Sequence, residues 1–398
     1  MKLSGLEVAV VGGAVAGAST ALLLARAGAH VRLLEREPRA RPVGAGIAIA
    51  ENGLAVLKAL GLGAELATAG SEVHGVRLVD GRGRTLFAPP SGKSAAGMPG
   101  GESPRVLMVR RSALYGLLGR AVAEEPRISC EYGVRVQAAS DSGAVTLQRD
   151  DAVETLQAEL VVGADGVHSR VRDDAAFGAR VSKAGISYAR GLVAAPLARG
   201  EEAWTREGLF GSFPLPDGSY WYASLGTARL RRALADRDLG GFRAIWSEAY
   251  APAGPLLAQL SSFDELIVNE VVRVRCRRFF SGKRVLVGDA AHAMAPNLGQ
   301  GANSALVDAA VLVDELARAA TLAEGLAAYD ARRRPKVEAV AQTAARLGAL
   351  AEYTNPVVRL LRDRVLMPLA GRADSAAQAR AVWQEDPAEL AQIGLQRA

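Results

Sequence analysis

The sequence predicts an α/β fold in which one α/β domain is interrupted by a β-rich domain and followed by a helical C-terminal region. The N-terminal residues have the pattern of a strand, a glycine turn, a helix and a second strand, which is the βαβ unit of a parallel sheet. Residues 185–280 are rich in short apolar segments typical of strands. A buried strand then returns at Arg284–Val287, and the sequence beyond Leu322 has a helical pattern.

The first βαβ unit consists of the strand Glu7–Val11, the helix Ala16–Ala27 and the strand His30–Leu34, which ends in Glu35. The later predicted elements are the helix Asn52–Leu60, hairpins with a mobile loop at Pro89–Gly101, the helix Ser112–Glu124, the buried strand Leu160–Val162, the strands Gly208–Leu215, Tyr220–Leu225 and Leu266–Val274, the helix Gly241–Ser247, and the helix Ala302–Arg318.

These elements predict three parts of the chain. Residues 1–75, 102–180 and 281–335 form the discontinuous α/β domain, residues 76–101 and 181–280 form the β-rich domain, and residues 336–398 form C-terminal helices. No internal repeat or low-complexity linker separates them.

Composition and charge exclude several classes of protein. The 398 residues are 49% hydrophobic and 23% charged, which is ordinary for a globular protein and excludes a disordered chain. The net charge of +6 comes from scattered arginines, whereas nucleic-acid binding needs a continuous basic face. We therefore expect no nucleic-acid partner.

The cysteines and histidines are few. Two cysteines cannot form a disulfide framework, and four dispersed histidines do not suggest a metal site. The uncharged segment Val8–Ala25 is rich in glycine, alanine and serine, and it is better explained as a strand, a turn and a helix than as a signal peptide or a membrane span. We therefore predict a cytoplasmic protein without a membrane span, a disulfide or a metal, and leave its oligomeric state open.

The first motif is the glycine-rich turn Gly12–Gly17 between the first strand and the first helix. It matches the dinucleotide fingerprint G-x-G-x-x-G at Gly12 and Gly17 but has Ala14 at the middle glycine. The helix that follows offers free N–H groups to a pyrophosphate. Glu35 lies 23 residues after Gly12, where a carboxylate can bind an adenosine ribose. Taken alone, the motif could also be an ordinary glycine-rich turn.

Two further motifs follow buried strands. The second is Gly163–Arg172, whose Asp165-Gly166 pair would by itself be taken for a turn. The third joins Gly288–His292, with Asp289 after a strand, to the loop Pro296–Asn303, which leads into a helix. The N–H groups at the start of such a helix favour a developing negative charge.

Together, in this order and spacing, the three motifs resemble the single-component FAD-dependent aromatic hydroxylases, the p-hydroxybenzoate hydroxylase-like group A flavoprotein monooxygenases. The resemblance extends from Val8 to about Pro335. It implies a Rossmann-like FAD-binding domain with an inserted β-rich substrate domain.

The resemblance also implies which residues bind the cofactors. The first motif would hold the ADP part of FAD, with Glu35 on the ribose. The Asp-Gly motif would serve both FAD and NADPH or NADH through Asp165, Gly166, Ser169 and Arg172. Asp289 would contact the ribityl chain. The remaining residues assigned to FAD are Val15 and Ala16 in the first motif, Gly299, Gln300, Gly301, Ala302 and Asn303 beside the isoalloxazine ring, Arg111 at the start of a helix, Val136 at the adenine, and Arg36 and Ala48.

The chemistry implied by the resemblance is hydroxylation. NADPH or NADH would reduce the FAD, and O2 would then hydroxylate an aromatic or related electron-rich small molecule through a flavin C4a-hydroperoxide. The flavin carries this chemistry, so no acid or base is required of the protein. Pro296, as a wall against the ring, and Gly299 and Gly301, as N–H donors, are the predicted catalytic residues. Two alternatives remain: an FAD-dependent dehydrogenase or reductase without oxygen transfer, and a flavin-binding pathway partner without turnover.

The substrate, a small aromatic or natural-product molecule, should lie between the flavin and the β-rich domain. Period-two alternation sends Tyr220 and Tyr222 to one face of their strand and Trp221 to the other, and the sequence leaves open which face meets the substrate. We expect a structural role for His292. Arg190 is expected to pair with a surface carboxylate, with an acidic substrate as the alternative. The candidate wall residues are Phe210, Phe213, Pro214, Tyr220, Trp221 and Tyr222.

Overall fold

The computed structural model describes residues 1–38, 45–88, 105–172, 175–367 and 382–393. The predicted loop Pro89–Gly101 and part of the predicted C-terminal region therefore lie outside the described residues. The described strands are β1 (Glu7–Val11), β2 (His30–Glu35), β3 (Gly46–Ala50), β4 (Gly70–His74), β5 (Arg77–Asp80), β6 (Thr85–Phe87), β7 (Arg105–Arg110), β8 (Ile128–Tyr132), β9 (Val134–Ala139), β10 (Ala144–Arg149), β11 (Ala152–Gln157), β12 (Leu160–Gly163), β13 (Arg180–Val193), β14 (Glu201–Thr205), β15 (Gly208–Leu215), β16 (Gly218–Ser224), β17 (Ile267–Arg275), β18 (Phe280–Ser281) and β19 (Arg284–Leu286).

The helices lie mainly between the strands of the first domain and at the end of the chain. None of those described is long and apolar enough to cross a membrane. They are α1 (Val15–Arg26), α2 (Glu51–Ala59), α3 (Gly63–Thr68), α4 (Arg111–Glu124), α5 (Ala228–Ala235), α6 (Leu239–Ala249), α7 (Ala253–Leu257), α8 (Asp289–His292), α9 (Gly301–Arg318), α10 (Leu322–Ala351), α11 (Pro356–Leu361) and α12 (Pro387–Leu390).

The central sheet has the strand order β18-β19-β12-β1-β2-β8. All of its pairs are parallel except β18 with β19. The apolar residues of β1 and β12 are buried on both faces because helices and the small sheet β9-β10-β11 cover them, as in other parallel sheets. The predicted α/β fold is confirmed, and the carboxyl ends of β1, β12 and β19 bring the three motifs to one edge.

The second large sheet has the order β17-β13-β16-β15-β14-β5-β6, and it is antiparallel apart from the pair β5 and β14. One face packs on α5, α6 and α7 around Phe210, Trp221 and Trp246. The other face packs on the small sheet β3-β7-β4 through Tyr220 and Met108. The sheet therefore has one face in a closed core and one face toward the first domain. The domain boundaries given above remain predictions.

Candidate functional site

The turn of the first motif depends on two glycines. Gly12 has a φ of +99°, and a Cβ on it would lie 2.5 Å from the carbonyl oxygen of Ala164. A Cβ on Gly17 would lie 1.7 Å from the carbonyl oxygen of Gly12. Any larger residue would therefore push β1, α1 and the second motif apart.

Ala14 occupies the place of the missing middle glycine without strain. It precedes α1 with a φ of −76°, which any residue can adopt, and its side chain is exposed. Among the described residues no side chain caps this end of α1, so the first N–H groups of the helix stay available to a ligand. A free helix N-terminus beside a glycine turn fits a pyrophosphate.

Glu35 closes the same turn from the end of β2. One oxygen of its carboxylate accepts the backbone N–H of Gly13 at 2.7 Å, and the other accepts the N–H of Glu37 at 2.9 Å. Both bonds hold the half-buried carboxylate beside the mouth of the turn. Arg36, which was also assigned to FAD, is exposed and lies 3.8 Å from the carboxylate of Glu37.

Asp165 in the second motif has one oxygen ready for a ligand. Its Oδ2 accepts the backbone N–H of Arg170 at 2.6 Å, whereas Oδ1 is buried and has no partner among the described residues. Burial raises the pKa of this carboxyl, and hydrogen bonds from Ser169 and the backbone only partly offset the effect. A buried carboxylate oxygen without a partner is costly, which is why a bound polar group is expected there.

Arg172 connects the second motif to the third. The buried guanidinium donates hydrogen bonds to the carbonyl oxygen of Ala290 at 2.6 Å and to that of Gly166 at 3.4 Å. Ser169 in turn accepts the backbone N–H of Arg172 at 3.0 Å. These two residues therefore hold the motifs together, a role that needs no direct contact with the cofactor.

Asp308 organises the turn before Asp289. It accepts the Nε2 of His292 at 2.5 Å, the N–H of Gly288 at 2.8 Å and the Nε of Arg333 at 2.9 Å. Burial alone would raise the pKa of Asp308, but the charges of His292 and Arg333 hold it at about 2. The expected structural role of His292 agrees with this network. The Asp289 side chain, by contrast, is exposed at the lip of the turn.

The loop of the third motif is fixed by the amide side chain of Asn303. Its Nδ2 donates to the carbonyl oxygens of Gly299 at 2.8 Å and Ala48 at 3.0 Å, and its Oδ1 accepts the N–H of Ala50 at 3.0 Å. Gln300 accepts a further bond from Asn52. The N-terminal end of α9 is thereby held against β3 before any ligand binds.

Gly301 begins α9 and faces open space. A Cβ there would meet no atom within 4 Å, whereas a Cβ on Gly299 would touch that of Ala48 at 3.5 Å. Nearby, Arg111 opens α4, and its Nε is buried without a hydrogen-bond partner in the described chain. The free N–H groups of α9, the open space at Gly301 and the unpaired donor of Arg111 fit a flat ring with hydrogen-bond acceptors at its edge.

Val136, predicted at the adenine, is a buried residue of β9. It opposes Leu147 in the small sheet and packs in the core of the first domain. No contact among the described residues distinguishes it from its neighbours, so its role remains a prediction.

The strand register shows which side chains face the first domain. Arg190 on β13 lies opposite Tyr222 on β16, which lies opposite Gly211 on β15, which lies opposite Glu202 on β14. Directly opposed residues of antiparallel strands share a face. These four residues therefore form one row across the sheet.

Tyr220 and Phe213 form the neighbouring row on the same face. The rings of Phe213 and Tyr222 stack with their centroids 5.9 Å apart. Gly46 on β3 makes room for Tyr220, since a Cβ there would lie 2.3 Å from the ring. The predicted wall residues Phe213, Tyr220 and Tyr222 are thus on one surface, which we call the aromatic wall, close to Ala48.

Phe210 does not belong to the aromatic wall. It lies on the opposite face, where its ring stacks on Trp221 at 5.9 Å and contacts Trp246 at 5.4 Å. The register also sends Pro214 to that face, because Ser212 opposes Trp221. The prediction that Phe210, Pro214 and Trp221 line the substrate site is corrected, since helices α5–α7 cover that side of the sheet.

The aromatic wall meets the loop of the third motif through Asn297. The Nδ2 of Asn297 donates to the hydroxyl of Tyr188 at 3.2 Å, and Tyr188 makes an edge-on contact with Tyr222 at 6.4 Å. Sequence reasoning gave neither Asn297 nor Tyr188 a role. Asn297 stood within a recognised motif, but its partner is 109 residues away in the chain and could not be inferred.

Glu202 is a second residue that sequence reasoning missed. Tyr222 donates its hydroxyl proton to Glu202 at 2.5 Å, and the indole N–H of Trp204 donates to the other oxygen at 2.7 Å. The Tyr222 ring can reach Glu202 because it crosses Gly211, where a Cβ would lie 2.3 Å from it. Because the Tyr222 hydroxyl donates its proton to Glu202, its oxygen can act only as an acceptor toward another group.

Replacing Glu202 with Gln should change how stability depends on pH. Burial raises the pKa of Glu202 despite its two hydrogen bonds, so the folded protein binds this proton more tightly than the unfolded chain. The associated stability is present at low pH and is lost as the pH rises through the raised pKa. We expect wild-type stability to fall relative to Glu202→Gln as the pH rises above the ordinary pKa range of a glutamate. Urea unfolding followed by tryptophan fluorescence measures this difference, and a pH-independent difference would contradict the prediction.

No group of side chains in the described ranges could hold a metal ion.

The sequence matches the family described as the FAD binding domain over residues 5–344. Aurachin C monooxygenase/isomerase from Stigmatella aurantiaca is 29% identical over 94% of this chain and 97% of its own. The 3-amino-4-hydroxybenzoate 2-monooxygenase of Streptomyces cremeus is 32% identical over 86% of each chain. The solved structure of 2-methyl-3-hydroxypyridine-5-carboxylic acid oxygenase shares the fold with a TM-score of 0.77 and 24% identity, covering 97% of this chain and 98% of that one.

Proposed function

The chain belongs to the FAD binding domain family and is an FAD-dependent monooxygenase of aromatic compounds, and on this premise we propose that it uses NADPH or NADH and O2 to hydroxylate a small aromatic molecule on the aromatic wall. The observation that carries the proposal is the bond between Asn297 and Tyr188. It joins the loop assigned to the flavin ring to the wall assigned to the substrate, so the two sites adjoin. We retain the cytoplasm as the proposed compartment.

The cofactor supplies the hydride acceptance and oxygen activation when it is bound. The residues of the chain bind and orient the reactants. The end of β1 and the start of α1 hold the pyrophosphate, and Glu35 accepts hydrogen bonds from the ribose. The N–H groups of Gly301 and Ala302 would stabilise negative charge at the ring, because the N-terminus of α9 is positive. The predicted donor Gly299 is corrected, since its N–H already donates to the carbonyl oxygen of Pro296 at 2.8 Å. Pro296 limits access of water to the ring.

The aromatic wall carries two groups that can select a substrate. Arg190 is half-buried, and no ion pair to it occurs in the described ranges, contrary to the expectation of a surface carboxylate. The Tyr222 oxygen is an acceptor because its proton lies toward Glu202. We therefore propose a substrate with a carboxylate or carbonyl group for Arg190 and an O–H or N–H donor for Tyr222.

Replacing Arg190 with Leu should raise the KM of such a substrate more than it lowers kcat. A hydrogen bond to a charged group contributes about 1.5–3 kcal/mol, or roughly 10- to 150-fold. The KM of Arg190→Lys should lie between those of Arg190→Leu and the wild type, since lysine keeps the charge but lacks the planar guanidinium. Arg180→Leu, on the exposed end of the same strand, is the matched control. Equal KM values in the wild type and Arg190→Leu would remove Arg190 from the substrate site.

The function is tested by offering the FAD-loaded enzyme aromatic acids, neutral phenols and quinolones. We expect one class to stimulate NADPH or NADH oxidation and to yield a product heavier by one oxygen atom. With 18O2 the product should carry the label. A product that is oxidised but unlabelled would favour a dehydrogenase, and no stimulation by any ring compound would favour a partner without turnover.

A further inference from the structure

The segment from Pro356 to Leu366 exposes most of its apolar side chains and buries an arginine. It comprises α11 and a wider helical turn over Arg362–Leu366, and its apolar side chains face solvent. These side chains are between 37% and 73% exposed. We call them the apolar ridge, formed by Val357, Val358, Leu360, Leu361, Val365 and Leu366.

A polar residue fixes this orientation. Arg362 is fully buried on the inner side of the helix, where it donates to the carbonyl oxygen of Leu350 at 2.9 Å and to Asp363 at 2.7 Å. Its guanidinium also lies 5.0 Å from the centre of the Trp204 ring. Rotating the helix to bury the ridge would break the contacts with Leu350 and Trp204 and expose the arginine. The outward direction of the ridge is therefore a consequence of the packing.

The rest of the chain has little with which to cover the ridge. The segment that follows it, residues 368–381, is rich in alanine and contains a single large apolar residue, Leu369. The other parts outside the described ranges add only Val43, Met98 and Leu395. A patch of six large apolar side chains needs a partner of comparable apolar area.

The charges on the helix argue against a second copy of the chain. A two-fold contact through this helix would place the same basic surface of both copies in one interface, so Arg364 and Arg359 of each copy would add to its positive charge. Burial first and the charge of Arg362 next lower the pKa of Arg359, and Arg206 acts in the same direction, whereas the carboxylates of Asp363 and Asp80 oppose the shift. A partner that is apolar inside and negative outside fits this surface better.

We propose that the apolar ridge docks on the surface of an anionic lipid bilayer. Valine and leucine side chains would enter the boundary between headgroups and acyl chains, as the apolar faces of interfacial helices do. Arg364 would lie among the negative headgroups. The segment is far too short to span the bilayer, so the contact is reversible and peripheral. It is independent of the reaction proposed above.

The test is flotation of the full-length, FAD-loaded enzyme with two kinds of vesicle, one of pure phosphatidylcholine and one with phosphatidylglycerol added. We expect binding to the anionic vesicles and at least about tenfold less to the neutral ones. Arg364→Glu should weaken the anionic binding about tenfold, because each basic residue near such a surface contributes roughly fivefold and reversal adds repulsion. High salt should act in the same direction.

The double variant Leu361→Asn/Leu366→Asn should abolish flotation while keeping its FAD content. Val153→Ser is the matched control and should float like the wild type. It removes an apolar side chain that is 60% exposed on β11, in the small sheet β9-β10-β11. The proposal would be overturned if the wild-type enzyme floated with neither kind of vesicle. A concentration-dependent dimer that the double variant abolishes, without any flotation, would identify a second copy as the partner instead.

Discussion

Gly301→Val should weaken FAD binding at least about tenfold. Among the described residues the protein leaves room for a Cβ at this position, which would meet no atom within 4 Å. We expect the steric penalty to come from the ring of the cofactor at its proposed site, and overpacking of this kind costs about 1–3 kcal/mol. In variant molecules that retain FAD, NADPH or NADH consumption should continue while product falls and hydrogen peroxide makes up the difference. Titration of the apoprotein with FAD measures the affinity. The concentrations of NADPH or NADH, hydroxylated product and hydrogen peroxide, followed in one reaction, measure the coupling.

Gly119→Val provides the matched control for this variant. Gly119 also lies in a helix, α4, and a Cβ on it also meets nothing within 4 Å. Both substitutions therefore introduce the same branched residue into a helix and an open space. We expect Gly119→Val to keep FAD affinity and coupling. Equal behaviour of the two variants would mean that the start of α9 is not at the flavin.

Glu35→Ala should weaken FAD binding by roughly 30- to 150-fold. The change removes the carboxylate that would bind the ribose, and charged hydrogen bonds of this kind contribute about 2–3 kcal/mol. It also frees the N–H groups of Gly13 and Glu37, which Glu35 now accepts. Once FAD is supplied in excess, the rate of hydroxylation should return to near its wild-type value. Fluorescence titration of the apoprotein with FAD gives the dissociation constant.

Glu37→Ala is the control for the loss of a nearby charge. Its carboxylate approaches Arg36 at 3.8 Å, and the variant keeps the backbone N–H that Glu35 accepts. We expect its FAD affinity to stay within about threefold of the wild type, as for a surface ion pair. Circular dichroism of both variants separates loss of affinity from loss of fold.

Local patterns were sufficient to predict most of the first domain. The strand Glu7–Val11 lies within its predicted bounds, and the helix after it begins one residue earlier than predicted. Such elements were predictable because their apolar spacing and their glycine turn are properties of adjacent residues. The three motifs likewise predicted the family and its FAD-dependent oxygenation, which the comparisons confirm.

The substrate side was less predictable because it depends on register between distant strands. Period two separates Tyr222 from Trp221 and Phe213 from Phe210, but only the pairing of β15 with β16 shows that Phe213 shares a face with Tyr222. The same pairing places Gly211 under the Tyr222 ring and allows it to reach Glu202. Nothing in the local sequence of Glu202 distinguishes it from an ordinary surface carboxylate.

The segment from Pro356 to Leu366 shows a different limit. Its valines and leucines would conventionally be assigned to the core, and the arginine between them to solvent. The reverse is found, because Arg362 has a carbonyl, a carboxylate and an aromatic ring to receive it. The amino-acid types of the segment alone could not predict this arrangement, because it depends on the contacts that Arg362 makes with Leu350, Asp363 and Trp204.

The order of strands in the central sheet has a consequence for synthesis on the ribosome. β1 pairs with β2 early, but its other neighbour begins at Leu160, and the next strand begins at Arg284. At translation rates of about 5–20 residues per second, the free edge of β1 waits roughly 8–30 s for β12. During that interval the nascent chain exposes an unpaired apolar edge, which a chaperone would have to protect. A chain that stops before Arg284 cannot complete the sheet, so truncated transcripts should yield insoluble, colourless protein.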